Sequence, residues 1–454
     1  MILKSINPYT NKVIFELPEF TDQQVEKILA QSSEAFKEWR RTSFDYRKPL
    51  MEKTAELLRS KRNRYADIIT AEIGKPIKES RAEVDKCAWV CDYYAKNAEL
   101  FLSEEQAETD GDESYIRYEP LGTILGIMPW NFPFWQVFRF AIPTLMAGNT
   151  VLLKHASNVQ LCAGQIESVF ENAGFPAPVF RNLAVGSGMV EKIIKHENIS
   201  AVSLTGSGFA GQKVAEAAGS VLKKSLLELG GSNAFVVLED ANIVKAAETG
   251  MKARFQNAGQ SCIAAKRFII DRKISDRFMK LFLEGINSLK VGDPAREDTD
   301  MGPLASIEQA EKVEDQLRRS VEAGARLIAG GVRDKAFFQP TMVINVRPGM
   351  PLFDEEVFGP VAPITEFRST EEAITLANSS DFGLGVSLFT DDLKKANDLV
   401  SEFHDGAVFI NGPVKSDPRL PFGGTKRSGF GRELAVQGIR EFANVKTVWA
   451  RYHR

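Results

Sequence analysis

The chain has 454 residues, 44% of them hydrophobic and 26% charged, and its 57 basic against 60 acidic side chains leave a net charge of −3. That length exceeds one compact core and calls for about two or three domains, and the near-balanced charge argues against nucleic acid or an anionic membrane as a partner. Four cysteines are too few for a disulfide scaffold and point to a reducing compartment. The opening residues 1–8 lack the apolar run of a secretory signal. No stretch approaches about 20 uninterrupted apolar residues, so no membrane span is expected and a cytoplasmic enzyme fits.

In chain order, residues 21–40 and 45–73 repeat apolar side chains at helical spacing, with Thr21-Asp22 as an N-cap. A third helix is predicted over 76–102, with Val84, Cys87, Ala88 and Cys91 inward. Cys87 and Cys91 lack a second Cys/His pair at ligand spacing, so they read as core packing and no metal site is expected. Residues 103–114 are polar and acidic and predict an exposed turn. Then the pattern changes. A buried strand over 122–128 ends in Pro129-Trp130-Asn131-Phe132-Pro133. Strand 150–154, helix 160–173, strand 180–185, helix 188–196, strand 201–205 and helix 209–219 follow. This alternation predicts a doubly wound parallel sheet. A second alternating series starts at 234–238 and runs past 410, which puts a domain boundary near 230. The tail, 444–450, reads as a strand with no following helix, available to another element or another subunit.

Several short segments carry chemistry. Cys262 follows Asn257-Ala258-Gly259-Gln260-Ser261, a frame of small and polar residues unlike that of a core cysteine. Glu228 precedes Leu229-Gly230-Gly231, a carboxylate on a tight backbone. Together they suggest a thiol nucleophile and a general base for water. Strand 201–205 runs into Gly206-Ser207-Gly208-Phe209-Ala210-Gly211 and a helix, the strand–turn–helix setting of a dinucleotide fingerprint. A turn that merely needs glycines would carry the same letters. The fingerprint also wants an acid about 20 residues on, and Glu228 stands there, so one residue is claimed for two roles. Lys154 and Ser157, at the end of a strand, could grip a ribose or a phosphate. Asn131, bracketed by prolines, could donate to an oxyanion. None of His155, His196, His404 and His453 sits in a segment resembling a catalytic loop, so a Cys/His pair has little support. The Cys262 thiolate must then be favoured by backbone N–H groups, a helix N-terminus or a cofactor's positive charge.

Taken in order, Pro129-Trp130-Asn131-Phe132-Pro133, Lys154, Thr205-Gly206-Ser207, Glu228-Leu229-Gly230-Gly231, Gly259-Gln260-Ser261-Cys262, Glu355-Glu356-Val357-Phe358-Gly359-Pro360 and Pro421-Phe422-Gly423-Gly424 resemble the NAD(P)-dependent aldehyde dehydrogenase family over nearly the whole chain. The nearest likeness is to bacterial succinate-semialdehyde dehydrogenases of the short kind. The resemblance implies an α/β fold: two doubly wound parallel-sheet domains plus a small β oligomerisation arm. The dinucleotide-binding domain would span 1–102 and 120–230, the catalytic domain 231–430, and the arm 103–119 with 431–454. It implies a homodimer or homotetramer.

By the same resemblance, Cys262 attacks the aldehyde, and the Asn131 amide and the Cys262 backbone N–H hold the oxyanion. Glu228 activates water against the thioester, which settles its disputed role. Trp130, Lys154, Ser157, Gly206, Ser207, Glu356 and Phe358 would line the cofactor site, Glu356 on the nicotinamide ribose. The family often has a glutamate where Ser157 stands. Its absence removes a charge that would repel a 2′-phosphate, so the cofactor reading leans to NADP over NAD. Trp135, Arg139, Ser261 and Arg419 would serve the substrate, with Arg139 on its carboxylate and Arg419 supplying a charge that Gln256 lacks. A salt-bridged Arg139 is the competing reading. The second cysteine that some relatives carry two residues past the nucleophile is Ala264 here, so that redox switch should be absent. Succinate semialdehyde is the favoured substrate. Glutarate semialdehyde or an aliphatic aldehyde, acyl transfer to coenzyme A, and a non-catalytic binding protein stay open as alternatives.

Overall fold

The alternating strands and helices assemble two separate parallel sheets in this computed structural model, which describes residues 2–452; His453 lies outside the described residues. The first sheet has six strands, in the order Gly429–Phe430, Lys224–Glu228, Ala201–Thr205, Thr123–Met128, Thr150–His155 and Phe180–Asn182. All pair in parallel except Gly429–Phe430. Thr123–Met128, Thr150–His155 and Ala201–Thr205 are buried at every position, as strands covered on both faces must be. The strand order reverses between Thr123–Met128 and Ala201–Thr205. Ligands in open α/β sheets bind outside the carboxyl ends at such a reversal.

Register then decides which side chains meet there. Met128 pairs with His155, Ile127 with Leu204, and Thr205 with Glu228. The Asn131 turn, Lys154, Gly206 and Glu228 therefore emerge abreast along one edge of the sheet.

The second sheet has seven strands, ordered Arg326–Ala329, Thr341–Ile344, Val361–Phe367, Ala265–Asp271, Asn233–Val237, Val386–Phe389 and Val408–Ile410. Only Arg326–Ala329 runs antiparallel to its neighbour. A third, antiparallel sheet pairs Ala443–Ala450 along the whole of Glu113–Pro120, with Glu105–Gln106 on the other edge.

Three features differ from the sequence reading. Residues 45–73 form two helices, Phe44–Ser60 and Arg62–Ile73, because Lys61 leaves helical geometry at φ −108° and ψ 18°. An N-terminal hairpin, Ile2–Asn7 with Lys12–Pro18, was not anticipated. Gly429–Phe430 returns to the first sheet, and the helix Ala435–Arg440 buries Ile439 in the same core as the helices Ile77–Phe101 and Trp135–Met146. The C-terminal part of the antiparallel arm is thus confined to Ala443–Ala450. No helix of the described residues is long and apolar enough to cross a membrane.

Candidate active site

The Asn131 turn is pinned from below by His155. The ring is buried; its Nε2 faces the Pro133 carbonyl at 2.9 Å, and its Nδ1 lies 3.2 Å from the Met128 carbonyl and 2.9 Å from the Ala156 N–H. Burial pushes the ring's pKa down to about 4, which keeps it neutral at physiological pH. Asn131 Nδ2 donates to the Gln260 carbonyl at 3.0 Å, and Asn257 Nδ2 donates to the Asn131 carbonyl at 2.8 Å. The turn at the end of the first sheet and the loop before Cys262 thus clasp each other.

That loop is held in a costly shape. Asn257, Ala258 and Gly259 follow one another at φ 50°, 52° and 76°, a left-handed run that a non-glycine residue adopts only under constraint. The constraints are visible. The Glu79 carboxylate accepts from the Asn257 N–H at 2.8 Å, and the Gln260 amide bridges Ala305 and Asn257. Buried Arg254 donates to the carbonyls of Gly259, Val357, Gly359 and Ala265. A side chain at 259 would stand 2.4 Å from both the Arg254 guanidinium and the Gly359 carbonyl, so only glycine fits. Cys262, just beyond, is half-buried, whereas Cys87, Cys91 and Cys162 are fully buried in the core.

Electrostatics set the resting protonation. Burial pushes the Cys262 thiol up to about 11, while Arg139 and Lys266 pull it down. Glu228 is buried, neither carboxylate oxygen has a hydrogen-bond partner among the described residues, and burial, with Glu433 adding to it, lifts its pKa well above the usual carboxylate range. Burial thus favours the neutral form of both groups, and Arg139 favours the ionised form of both. A backbone with no side chains at 230 and 231 lets these pieces approach. A Cβ at Gly231 would lie 2.6 Å from the Cys262 carbonyl, and one at Gly230 would lie 2.4 Å from Glu356.

Lys266 is the residue that sequence reasoning missed. Its buried ammonium donates to the Gly231 carbonyl at 2.6 Å, the Cys262 carbonyl at 3.0 Å and Glu356 Oε1 at 2.9 Å. One cation thus ties the nucleophile loop to the Glu228 loop and to Glu356. The available signal was a lysine opening a strand, Ala265–Asp271, that is otherwise mostly apolar.

Two cavities share Cys262. One, of about 180 Å³, is lined by Trp130, Asn131, Gly206, Ser207, Glu356 and Phe358, with Trp130 and Phe358 edge to face at 5.8 Å. Its residues fit a dinucleotide. Gly206 and Ser207 bring the N-terminus of the helix Gly208–Gly219 to the cavity's edge, where backbone N–H groups suit a phosphate. Ser207 caps the helix Gly208–Gly219. At the end of the next strand but one, Lys154 is 8% exposed yet forms no ion pair among the described residues, with exposed Ser157 three residues on.

The other cavity, of about 270 Å³, is lined by Phe132, Trp135, Arg139, Ser261, Cys262 and Phe422, among others. The two arginines expected near the substrate are placed differently. Arg139 reaches this cavity, but its guanidinium is ion-paired with buried Glu433, bonded to Thr205 Oγ1 at 3.2 Å and stacked on Phe422 at 4.6 Å. Its charge is paired within the protein, as the competing reading of Arg139 expected, and it favours the ionised forms of Cys262 and Glu228. Arg419 does not line the cavity. It is held by Asp417 through two bonds, of 2.9 and 2.8 Å, and lies on Trp89 at 5.4 Å.

A half-buried cysteine between two cavities, one at the carboxyl ends of a parallel sheet, suits an oxidoreductase that works through a thiol. The profile of the Aldehyde dehydrogenase family matches residues 2–448, and the chain belongs to that family. It is 45% identical over 452 residues to a probable NADP(+) succinate-semialdehyde dehydrogenase of Synechocystis sp., covering 99% of this chain and 100% of the relative. Identity to the NAD(P)+ succinate semialdehyde dehydrogenase Sad of Escherichia coli is 44%, over 98% and 97% of the two chains. The crystal structure of a succinic semialdehyde dehydrogenase from Streptococcus pyogenes in complex with NADP+ superposes with a TM-score of 0.97 at 37% identity, over 99% and 100% of the chains.

Proposed function

We propose that the protein oxidises succinate semialdehyde to succinate, with NADP as the favoured acceptor. The observation that carries this reading is that Cys262 is the wall shared by the nucleotide-side and substrate-side cavities. Cys262 gives up its thiol proton to solvent, a loss that the cofactor's positive charge would favour, and the thiolate attacks the aldehyde carbon. The Asn131 Nδ2 hydrogen not held by Gln260 and the Cys262 N–H face the developing oxyanion. The nicotinamide, when bound, supplies the hydride acceptor, and Glu356 and Phe358 flank its place. Collapse of the thiohemiacetal, its carbon-bound hydrogen leaving as the hydride that the nicotinamide would accept, leaves an acyl group on Cys262. Glu228 then takes a proton from water as that water attacks the thioester carbon, and the thiol leaves with the acid. A carboxylate whose pKa is raised is the stronger base once ionised, and Arg139 nearby favours that ionised form.

Lys154 and Ser157 support NADP, since an ammonium without an ion pair and a hydroxyl suit a 2′-phosphate. The exposed outer strand Ala443–Ala450, with Val445 and Trp449 open to solvent, supports a homodimer or homotetramer built through the arm. Four unpaired cysteines suit the cytoplasm. The test is an aldehyde panel run with each cofactor and followed through the reduced nicotinamide, with sedimentation for the assembly. Succinate semialdehyde with NADP should give the highest kcat/KM and release free succinate without coenzyme A. Equal turnover of propanal, or a product that requires coenzyme A, would overturn the assignment.

A further inference from the structure

Lys266 is fully buried at the head of the strand Ala265–Asp271. Its nitrogen meets three acceptors, the carbonyls of Gly231 and Cys262 and Glu356 Oε1. A neutral amine has only two hydrogens, so three acceptors require the ammonium. Burial lowers the pKa of that ammonium, and the Glu356 carboxylate raises it in opposition. The two charges therefore depend on each other.

The same contact fixes Glu356. Its Oε1 accepts from Lys266 and from the Gly231 N–H at 3.0 Å, while its Oε2 has no hydrogen-bond partner among the described residues. A Cβ at Gly230 would stand 2.4 Å from Oε2, so glycine keeps that oxygen clear. Glu356 and Phe358 line the nucleotide-side cavity together with Cys262, and Lys266 lies behind that wall, 5.6 Å from the centre of the Phe358 ring. A carboxylate left unneutralised beside Cys262 would hold the sulfur as a thiol. Around the sulfur, Glu228 and Glu356 raise its pKa, whereas Arg139 and Lys266 lower it. Of the two cations, Lys266 is bonded to the Cys262 backbone, and Arg139 to Thr205 and Glu433.

We propose that Lys266 is a positioning residue for the reaction: by holding one oxygen of Glu356 it leaves the other for a hydroxyl of the cofactor, and by neutralising that carboxylate it shields the Cys262 sulfur from its charge. The proposal rests on the reading of the nucleotide-side cavity. It is tested without turnover in wild type, Lys266→Met, Lys266→Arg, Glu356→Gln and the double variant Lys266→Met/Glu356→Gln. NADP binding is followed by fluorescence titration. The sulfur is followed by its rate of alkylation with iodoacetamide at one fixed, mildly alkaline pH, which reports Cys262 because the other three cysteines are buried. Lys266→Met should weaken NADP by roughly tenfold and slow alkylation by roughly tenfold, as an upward shift of about one pH unit in the thiol requires. Lys266→Arg should restore most of the alkylation rate, because the charge survives, but only part of the NADP affinity, because a planar fork does not match three acceptors set for an ammonium. Glu356→Gln should speed alkylation. In the Glu356→Gln background, Lys266→Met should cost little further NADP affinity, since the lysine acts through that carboxylate. A merely structural role would give equal losses in both backgrounds, and that result, or an alkylation rate unchanged in Lys266→Met, would overturn the proposal. Wild type binding neither NADP nor NAD would instead refute the reading of the nucleotide-side cavity, and the alkylation rates would still decide whether Lys266 shields Cys262.

Discussion

The two sides of Cys262 are built differently. On the nucleotide side, the groups stand at the carboxyl ends of neighbouring strands, abreast because the register puts Met128 beside His155 and Thr205 beside Glu228. On the substrate side, the wall is gathered from a helix at Ile77–Phe101, a helix at Trp135–Met146 and a loop at 413–416. A sheet supplies a ready crevice, so residues there are short-range neighbours of a strand end. The chamber for the substrate exists only once distant helices and loops close over the sulfur. The first side therefore suits a shared cofactor, and the second can change its substrate without disturbing the sheet.

The contrast can be broken most sharply at the shared wall. Cys262→Ala should lower aldehyde turnover by roughly 10⁴-fold or more while leaving dinucleotide binding by fluorescence titration near the wild-type value. Turnover at the native rate would end the whole account. Glu228→Gln should cut steady-state turnover by roughly 10²- to 10⁴-fold yet keep a first-turnover burst of cofactor reduction, because acylation of Cys262 precedes the water step. Loss of the burst would move Glu228 from water activation to the earlier chemistry.

The prop under the Asn131 turn comes next in size. His155 has its pKa pushed down to about 4 from an ordinary 6.5. A depressed folded pKa means that the neutral ring contributes stability above about pH 6.5 and loses it as pH falls toward about 4, a span worth on the order of 3 kcal/mol. His155→Gln should flatten that part of the pH profile of the urea midpoint, and an unchanged slope would place the acid sensitivity elsewhere. The smallest effect concerns cofactor choice alone. Ser157→Glu should weaken NADP by roughly tenfold relative to NAD, since a carboxylate would face the 2′-phosphate. Equal losses with both cofactors would mean that the phosphate is held elsewhere.

Much of this was legible along the chain. Strand–helix alternation foretold parallel sheets, and Cys262, Glu228 and Asn131 could be picked out because each sits in a short segment of unusual composition. The ion pairs of the two substrate-side arginines were less legible, for a physical reason. Arg139 and Arg419 both look like free cations in the sequence, and only their neighbours Glu433 and Asp417 reveal the commitment of their charge. Lys266 was passed over because a lysine at the head of a buried strand usually faces solvent, whereas here three acceptors enclose it. The split at Lys61 and the return of Gly429–Phe430 to the first sheet escaped notice because periodicity carries no information about long-range pairing.

Local order along the chain was enough to determine the fold class and to single out Cys262, Glu228 and their glycines as candidates, since each depends on residues within a few positions of one another. Only the folded molecule decided which charges are free. That outcome depends on which carboxylates come within a few ångströms, and proximity between residues hundreds of positions apart is set by packing.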